Sequence, residues 1–183
     1  DTAHELGHKH TKLEQTMAWI ALAVPGYGHF CVEHNRGHHR WVATPEDPAS
    51  ARMGESIYKF ALREIPGAWI RGWRLEAERL RPMSASPYGL RNRVICSYLL
   101  TLVVQGSLIV VFGLPMVLFL VLHNILGWWQ LTSANYIEHY GLKRCRDESG
   151  RIERCQPHHS WNSNHLVSNL LLFHLQRHSD HHA

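Results

Sequence analysis

The chain has 183 residues, which is enough for one domain with a substantial hydrophobic core. Its 19 Lys and Arg against 15 Asp and Glu give a net charge of +4, which is too small to indicate a nucleic acid partner. The four cysteines form no CxxC pair, which argues against a secreted disulfide framework. The exceptional feature of the composition is a total of 16 histidines.

The whole chain, residues 1–183, is predicted to form one catalytic unit. It begins at Asp1, without Met, at a histidine motif and ends at Ala183 directly after another, so we expect an internal part of a longer protein. Its first segment, residues 1–40, holds two histidine motifs separated by an apolar stretch at 17–32. A bilayer crossing needs about 20 apolar residues, and this shorter stretch contains Pro25 and Gly26. We predict a bent interfacial or re-entrant segment that turns at these two residues.

The second segment, residues 41–93, is predicted to form amphipathic helices on the cytoplasmic side. Asp47 and Pro48 predict the start of a helix that ends before Pro66, and a second helix is expected over 68–81. Two interpretations fit Trp69 and Trp73 on this second helix equally well. The helix either lies on lipid headgroups or is an ordinary amphipathic helix packed on the protein.

The third segment, residues 94–137, contains no Asp, Glu, Lys or Arg. Gly113, Leu114 and Pro115 divide it into two spans, 94–112 and 116–137, each long enough to cross a membrane. Eleven Lys and Arg over 36–93 and five over 143–154 flank this hairpin, whereas its turn has none, so the flanks are predicted to be cytoplasmic. The expected fold class is therefore an all-α, integral-membrane helical bundle with its polyhistidine site on the cytoplasmic side.

The fourth segment, residues 138–183, completes a set of nine histidines in four groups. Residues three or four apart share one face of a helix, so each motif directs at least two imidazoles the same way. The residue after His38 points about 100° away from it, so this motif reaches two different ions. Nine ligands exceed the six positions of one octahedral ion, so the count predicts two metals, with Fe, Cu, Ni and Zn all suited to nitrogen ligands. The nine are His4, His8, His34, His38, His39, His139, His178, His181 and His182.

An acidic residue lies beside each group. Such a carboxylate diverges from its own histidine on a helix, but it can accept the second ring N–H of a histidine from another group. The alternative is that these acids are merely solvated. They are Glu5, Glu33, Glu138 and Asp180.

Three other metal sites fit parts of the sequence. HELGH matches the HExxH motif of zinc metalloproteases. A single zinc ion needs only one further ligand beyond these two histidines, however, so this interpretation does not explain the other two histidine motifs. A histidine-rich metal buffer would carry its histidines in low-complexity runs. Cys145 and Cys155 with His158 and His159 suggest a small zinc site, although their spacing is not a standard one.

The four motifs HELGHK, EHNRGHH, NYIEHYGL and LQRHSDHHA resemble those of the membrane-bound alkane 1-monooxygenases over essentially the whole chain. The resemblance implies a non-haem di-iron centre held by the nine histidines, with no catalytic residue beyond these ligands. It also implies a multi-pass protein of the cytoplasmic membrane. The implied reaction uses O₂ and electrons from rubredoxin to convert n-alkanes to primary alcohols. A membrane fatty-acid desaturase and an aromatic side-chain hydroxylase remain alternatives, since one scaffold supports several reactions.

Overall fold

The computed structural model describes residues 2–9, 11–171 and 176–182, without the side chains of Thr2, Ser168, Leu171, Asp180 and His182. The described residues contain helices and no strand, apart from isolated bridges between Arg146 and Ile152 and between Asn162 and Arg177. This confirms the all-α class. The helices are α1 (Thr2–Gly7), α2 (Lys12–Ala23), α3 (Phe30–Glu33), a π-helix (His34–His38), α4 (His39–Trp41), α5 (Ile57–Leu80), α6 (Arg93–Phe112), α7 (Pro115–Glu138), α8 (Leu166–Leu171) and α9 (His178–His182), with short 3₁₀-helices at Arg81–Met83 and Pro157–His159.

The apolar stretch after the first motif bends where the sequence places a turn. Helix α2 ends at Ala23, and Gly26 has a φ of 64°, a conformation that glycine adopts without strain. The bend leaves carbonyl groups without helical partners, and the hairpin supplies donors for them. Gln105 Nε2 lies 2.8 Å from the Val24 oxygen, and Trp128 Nε1 lies 2.8 Å from the Pro25 oxygen. Irregular backbone beside an apolar hairpin is stable because its polar groups are paired in this way.

Two sequence predictions for residues 41–93 are wrong. Asp47 does not begin a helix; α5 starts at Ile57, after Ser56, whose hydroxyl accepts a hydrogen bond from the Lys59 N–H. Helix α5 also continues through Pro66 to Leu80. An interior proline costs about 3 kcal/mol, and burial on both sides of it offsets this cost. The face of α5 that packs inward carries Phe60, Ala61, Glu64, Ala68, Gly72, Glu76 and Leu80.

Helices α6 and α7 form the predicted hairpin. Both are long and apolar enough to cross a membrane, and they turn at Gly113, whose φ is 80°. Asn92 caps α6 through its side-chain oxygen, which accepts hydrogen bonds from the N–H groups of Val94 and Ile95. Apolar side chains such as Val110, at 85% exposure, and Leu118, at 66%, face outward. The chain is a membrane-integral helical bundle whose hairpin returns Arg93 and Glu138 to the same end.

Candidate metal centre

Four parts of the chain meet at the end of the hairpin that carries Arg93 and Glu138. Helix α1 is tied to the π-helix by Asn35, whose side-chain amide donates to the Gly7 oxygen over 2.9 Å. His139 follows the last residue of α7 directly. Helix α9 is held by Asn162, whose side-chain oxygen caps the Ser179 N–H at 2.9 Å. Histidines that are far apart in sequence thereby face one another.

The second histidine motif forms a π-helix rather than the α-helix that its spacing predicts. The N–H of His39 donates to the oxygen of His34, five residues earlier. The wider turn places His34 and His39 on the same side, whereas His38 points to a different one. The motif thus contributes to two groups of histidines, and the π-turn decides that His34 joins His39 rather than His38.

The first histidine group surrounds one point with ε nitrogens. His34 Nε2 lies 2.8 Å from His4 Nε2 and 3.2 Å from His39 Nε2. His39 Nε2 is also 3.0 Å from His181 Nε2. Ligand atoms of four of these residues, His4, His8, His34 and His181, all lie within 4.8 Å of one another.

The second histidine group lies beside the first and is more deeply buried. It consists of His38, His139 and His178, which are 0%, 0% and 1% exposed. The ε nitrogens of His139 and His178 are 3.1 Å apart. The ring centroids of His34 and His38, one from each group, are separated by 5.2 Å. Eight of the nine predicted histidines are thus divided between two adjacent groups, and the side chain of the ninth, His182, lies outside the described residues.

The δ nitrogens of several rings point away from the two groups, toward oxygen atoms. His4 Nδ1 lies 3.2 Å from Glu5 Oε1, and His178 Nδ1 lies 3.4 Å from Glu138 Oε1. His139 Nδ1 donates to the His159 carbonyl oxygen at 3.2 Å. The acceptors at Nδ1 of His4 and His139 fix the tautomers of these two rings and leave Nε2 as the electron-pair donor.

The four acidic residues predicted to orient histidines behave differently. Glu138 Oε1 lies 3.4 Å from the Nδ1 of His178, a histidine of another motif, whereas Glu5 contacts its own neighbour His4 and lies 4.0 Å from His181. Glu33 departs from the expectation, since its carboxylate accepts hydrogen bonds from Arg71 instead of an imidazole. The side chain of Asp180 lies outside the described residues.

Burial keeps the imidazoles of the first group neutral. It lowers the pKa of His8 to about 4 and that of His39 to about 3. The hydrogen bond with His4 lowers the pKa of Glu5 to about 2, so this acid is ionised. Neutral imidazole is the form that binds a metal ion.

The residues present fit a metal centre. His8 Nε2 is buried and has no hydrogen-bond partner, although an unpaired buried nitrogen is costly. The ε nitrogens of His4, His34, His39 and His181 converge to separations of 2.8–3.4 Å, and a cation shared among them would account for that convergence. The donor atoms are nitrogens, which suit a transition metal and disfavour Mg²⁺ and Ca²⁺.

Sequence reasoning missed three contributors to this centre. Asp47 lies in a loop and contacts His38 Nδ1 at 2.9 Å through Oδ2. The His159 carbonyl and the Asn162 side chain support His139 and α9 from the polar stretch that follows residue 156. No spacing rule identifies these residues, because each reaches its partner through the tertiary fold.

The proposed small zinc site does not form. The cluster found in that part of the chain is Glu153, His158 and His159, without Cys145 or Cys155. His159 Nδ1 accepts the Gln156 N–H at 2.9 Å, so the proton of a neutral ring is on Nε2, which lies 3.2 Å from Glu153 Oε1. A protonated Nε2 is not a metal ligand. This cluster is a hydrogen-bonded turn.

Fold and site together define a membrane-integral helical protein with two adjacent groups of buried and half-buried imidazoles. A fatty acid desaturase family profile matches residues 2–183, and the chain belongs to that family. It is 60% identical over 183 residues to an alkane 1-monooxygenase of Ectopseudomonas oleovorans and 60% identical over the same length to alkane 1-monooxygenase 1 of Alcanivorax borkumensis. These alignments cover 100% of this chain and 46% and 45% of the two relatives, so the chain spans less than half their length. A more distant relative, the xylene/toluene monooxygenase hydroxylase component of Pseudomonas putida, is 28% identical over 180 residues, which are 98% of this chain and 47% of that protein.

Proposed function

We propose that the protein carrying this chain is an alkane 1-monooxygenase that hydroxylates the terminal carbon of medium and long n-alkanes. The observation that carries this proposal is the pair of adjacent all-imidazole groups in a chain that is 60% identical to alkane 1-monooxygenases. The family shares a metal scaffold among several reactions, so the identity to these relatives supports the reaction and the geometry supports the centre.

The nine histidines are proposed to hold two iron ions. His4, His8, His34, His39 and His181 would hold the first ion; His38, His139 and His178 would hold the second; His182 is assigned by its position in the motif alone. Bound iron would supply the activation of O₂ with two electrons and the insertion of one oxygen atom into a C–H bond. The chain supplies neutral imidazoles in the first group, the orientation of His4 through Glu5, and exclusion of water by burial.

An apolar groove beside the second histidine group is a suitable place for the alkane. It follows α7 from Trp129 past Ala134 and Ile137 to Glu138, about 14 Å at 1.5 Å per residue, and Trp161 lines its other side. Glu138 contacts His178, so one end of the groove lies next to the proposed metal centre. A linear hydrocarbon lying along α7 would present its terminal carbon at that end.

The electron donor is proposed to be rubredoxin, delivered to the cytoplasmic face of the inner membrane. The basic segments at 36–93 and 143–154 support this side of the membrane. Several of their arginines are engaged within the protein, for example Arg63 with Glu55 and Arg79 with Glu76, so they do not all face a partner. If the basic residues steer an acidic donor, reduction rates should fall as ionic strength rises. Reduction rates that do not depend on salt would show that these residues do not steer the donor and serve only to orient the hairpin in the membrane.

Product analysis tests the proposed reaction. Membranes containing the protein, with rubredoxin and its reductase, receive octane, hexadecane, a fatty acyl substrate and xylene in separate assays. We expect 1-octanol and 1-hexadecanol as the main products. An unsaturated acyl product would assign the protein to the desaturases. A benzylic alcohol as the main product would favour an aromatic side-chain hydroxylase, a class suggested by the xylene/toluene monooxygenase component that is 28% identical to this chain.

A further inference from the structure

Asp47 is the centre of a buried polar cluster. Its Oδ2 accepts hydrogen bonds from His38 Nδ1 at 2.9 Å and from Ser50 Oγ at 2.6 Å. Its Oδ1 accepts from Arg71 Nη2 at 2.7 Å and from the Ala49 N–H at 3.2 Å. Its side chain is 0% exposed. The four donors use the lone-pair sites that a carboxylate offers, so the carboxylate has one well-defined orientation.

Arg71 connects this carboxylate to the start of the π-helix. Its guanidinium contacts Asp47 on one side and Glu33, the residue before the π-helix, on the other. The guanidinium fits because residue 37 is glycine, where a Cβ atom would lie 2.6 Å from Arg71 Nε. Helix α5, the loop of Asp47 and the π-helix are therefore joined by one side chain with a planar set of donors.

The two histidine groups differ in how firmly carboxylates hold their rings. The carboxylate that contacts the first group is Glu5, whose side chain is 40% exposed. In the second group, His38 contacts a carboxylate that is fully buried and held by three further donors. A buried ion pair is by itself a weak source of stability, so the arrangement is better explained by the orientation of His38 than by folding energy.

We propose that Asp47 is the positioning residue for His38, that Arg71 holds Asp47 in place, and that this pair serves the metal of the second histidine group alone. The inference rests on the proposed function only in taking the histidines as metal ligands. Loss of an acceptor behind a ligating histidine reduces metal affinity about 10- to 100-fold. The second metal is therefore the one that depends on Asp47.

The test is Asp47→Asn in the membrane-embedded protein that carries this chain, loaded with ⁵⁷Fe. Asparagine has one acceptor oxygen, and its NH₂ group would face donors, so it cannot receive His38, Ser50 and Arg71 together. We expect about half the wild-type iron per chain after dialysis against a weak chelator, because only the second position falls about 10- to 100-fold in affinity. We also expect the Mössbauer spectrum to lose one component and keep the other.

Glu64→Gln is the matched control. Glu64 is also a buried carboxylate between helices, but its partners are Thr132 Oγ1 at 2.9 Å and Asn135 Nδ2 at 3.3 Å instead of a histidine. It is expected to keep the full iron content and both spectral components. Equal iron loss in Glu64→Gln and Asp47→Asn would show a general packing effect and overturn the proposal.

The other possible results of the Asp47→Asn experiment also test the proposal. Full iron and an unchanged spectrum in Asp47→Asn overturn the proposal, and loss of both irons from a protein with wild-type helix content overturns the assignment to one group. If Asp47→Asn does not fold, Arg71→Lys takes its place, since lysine keeps the charge but cannot bridge two carboxylates; unchanged iron affinity there is contrary to the proposal. A wild-type protein that binds no iron would instead refute the proposed function itself.

Discussion

The ε nitrogens of His34 and His39 lie 3.2 Å apart although the two residues are five positions apart in the chain. An α-helix would separate them by about 140° around its axis, given 3.6 residues per turn. The π-helix at His34–His38 removes this separation and directs His38 to the neighbouring histidine group. One local change in helix type therefore decides that His34 joins His39 rather than His38, with which it would share a face in an α-helix.

Gly37→Ala is predicted to disrupt the π-helix. The added Cβ would lie 2.6 Å from Arg71 Nε and 3.1 Å from Glu33 Oε1, so the guanidinium must shift, which weakens its contacts with the two carboxylates. We expect reduced iron content and a thermal midpoint lowered by several degrees, as a loss of about 1–3 kcal/mol implies. Gly106→Ala is the control, because nothing lies within 4 Å of a Cβ there. Normal iron and stability in Gly37→Ala would contradict the tight contact.

Replacing a proposed ligand should remove activity together with metal. His38→Ala, His139→Ala and His181→Ala are each expected to abolish alkane hydroxylation and to lower the iron retained after purification. His158→Ala, in the hydrogen-bonded turn that is not a metal site, is the comparison and should retain iron. Atomic absorption on the purified variants provides the measurement. Full activity in any of the first three would refute the ligand assignment of that residue.

Ala134→Phe is predicted to obstruct the groove along α7. Ala134 lies between Trp129 and Glu138 on the groove wall, so a phenyl ring there occupies the space proposed for the alkane. We expect hydroxylation of hexadecane to fall at least about tenfold, corresponding to about 1.4 kcal/mol, while iron content stays unchanged. Leu118→Phe is the control on the same helix, because this side chain is 66% exposed on the outward face. Unchanged rates in Ala134→Phe would place the alkane elsewhere.

Glu64 is predicted to make stability depend on pH. Burial raises its pKa to about 7, with Glu33 and Asp47 raising it and hydrogen bonds from Thr132 and Asn135 lowering it. The folded protein therefore holds a proton that the unfolded chain releases near pH 4.5. Its stabilising contribution is complete below the unfolded pKa and is lost as pH rises through about 7, a change of at most about 3 kcal/mol.

The comparison between wild type and Glu64→Gln isolates this contribution. Glutamine cannot ionise, so the variant should gain stability relative to wild type between pH 5 and about 8. Thermal unfolding in detergent, followed by circular dichroism at several pH values, measures the difference. A constant difference across this range would show that Glu64 does not titrate there.

Local chemistry made much of the fold predictable. The uncharged stretch at 94–137 predicted the hairpin, because burying charge in a bilayer is costly, and Gly113 marked its turn. Pro25 and Gly26 marked the bend after α2. Pro66 misled the same reasoning, because the continuous inward face of α5 outweighs the hydrogen bond that proline removes. Local rules fail where packing supplies the larger free energy.

The sequence by itself predicted which histidines form the candidate centre and that their number exceeds what one ion holds, since ligand type, spacing and number are properties of the chain. Only the tertiary structure decided which histidine joins which group and which acceptor contacts the Nδ1 atom of each ring. Asp47 reaches His38 from a loop, the His159 carbonyl reaches His139, and Arg71 joins two carboxylates from α5. These contacts depend on how helices pack and on a π-turn, and hydrogen-bond geometry of this kind is fixed by packing in three dimensions rather than by spacing along the chain.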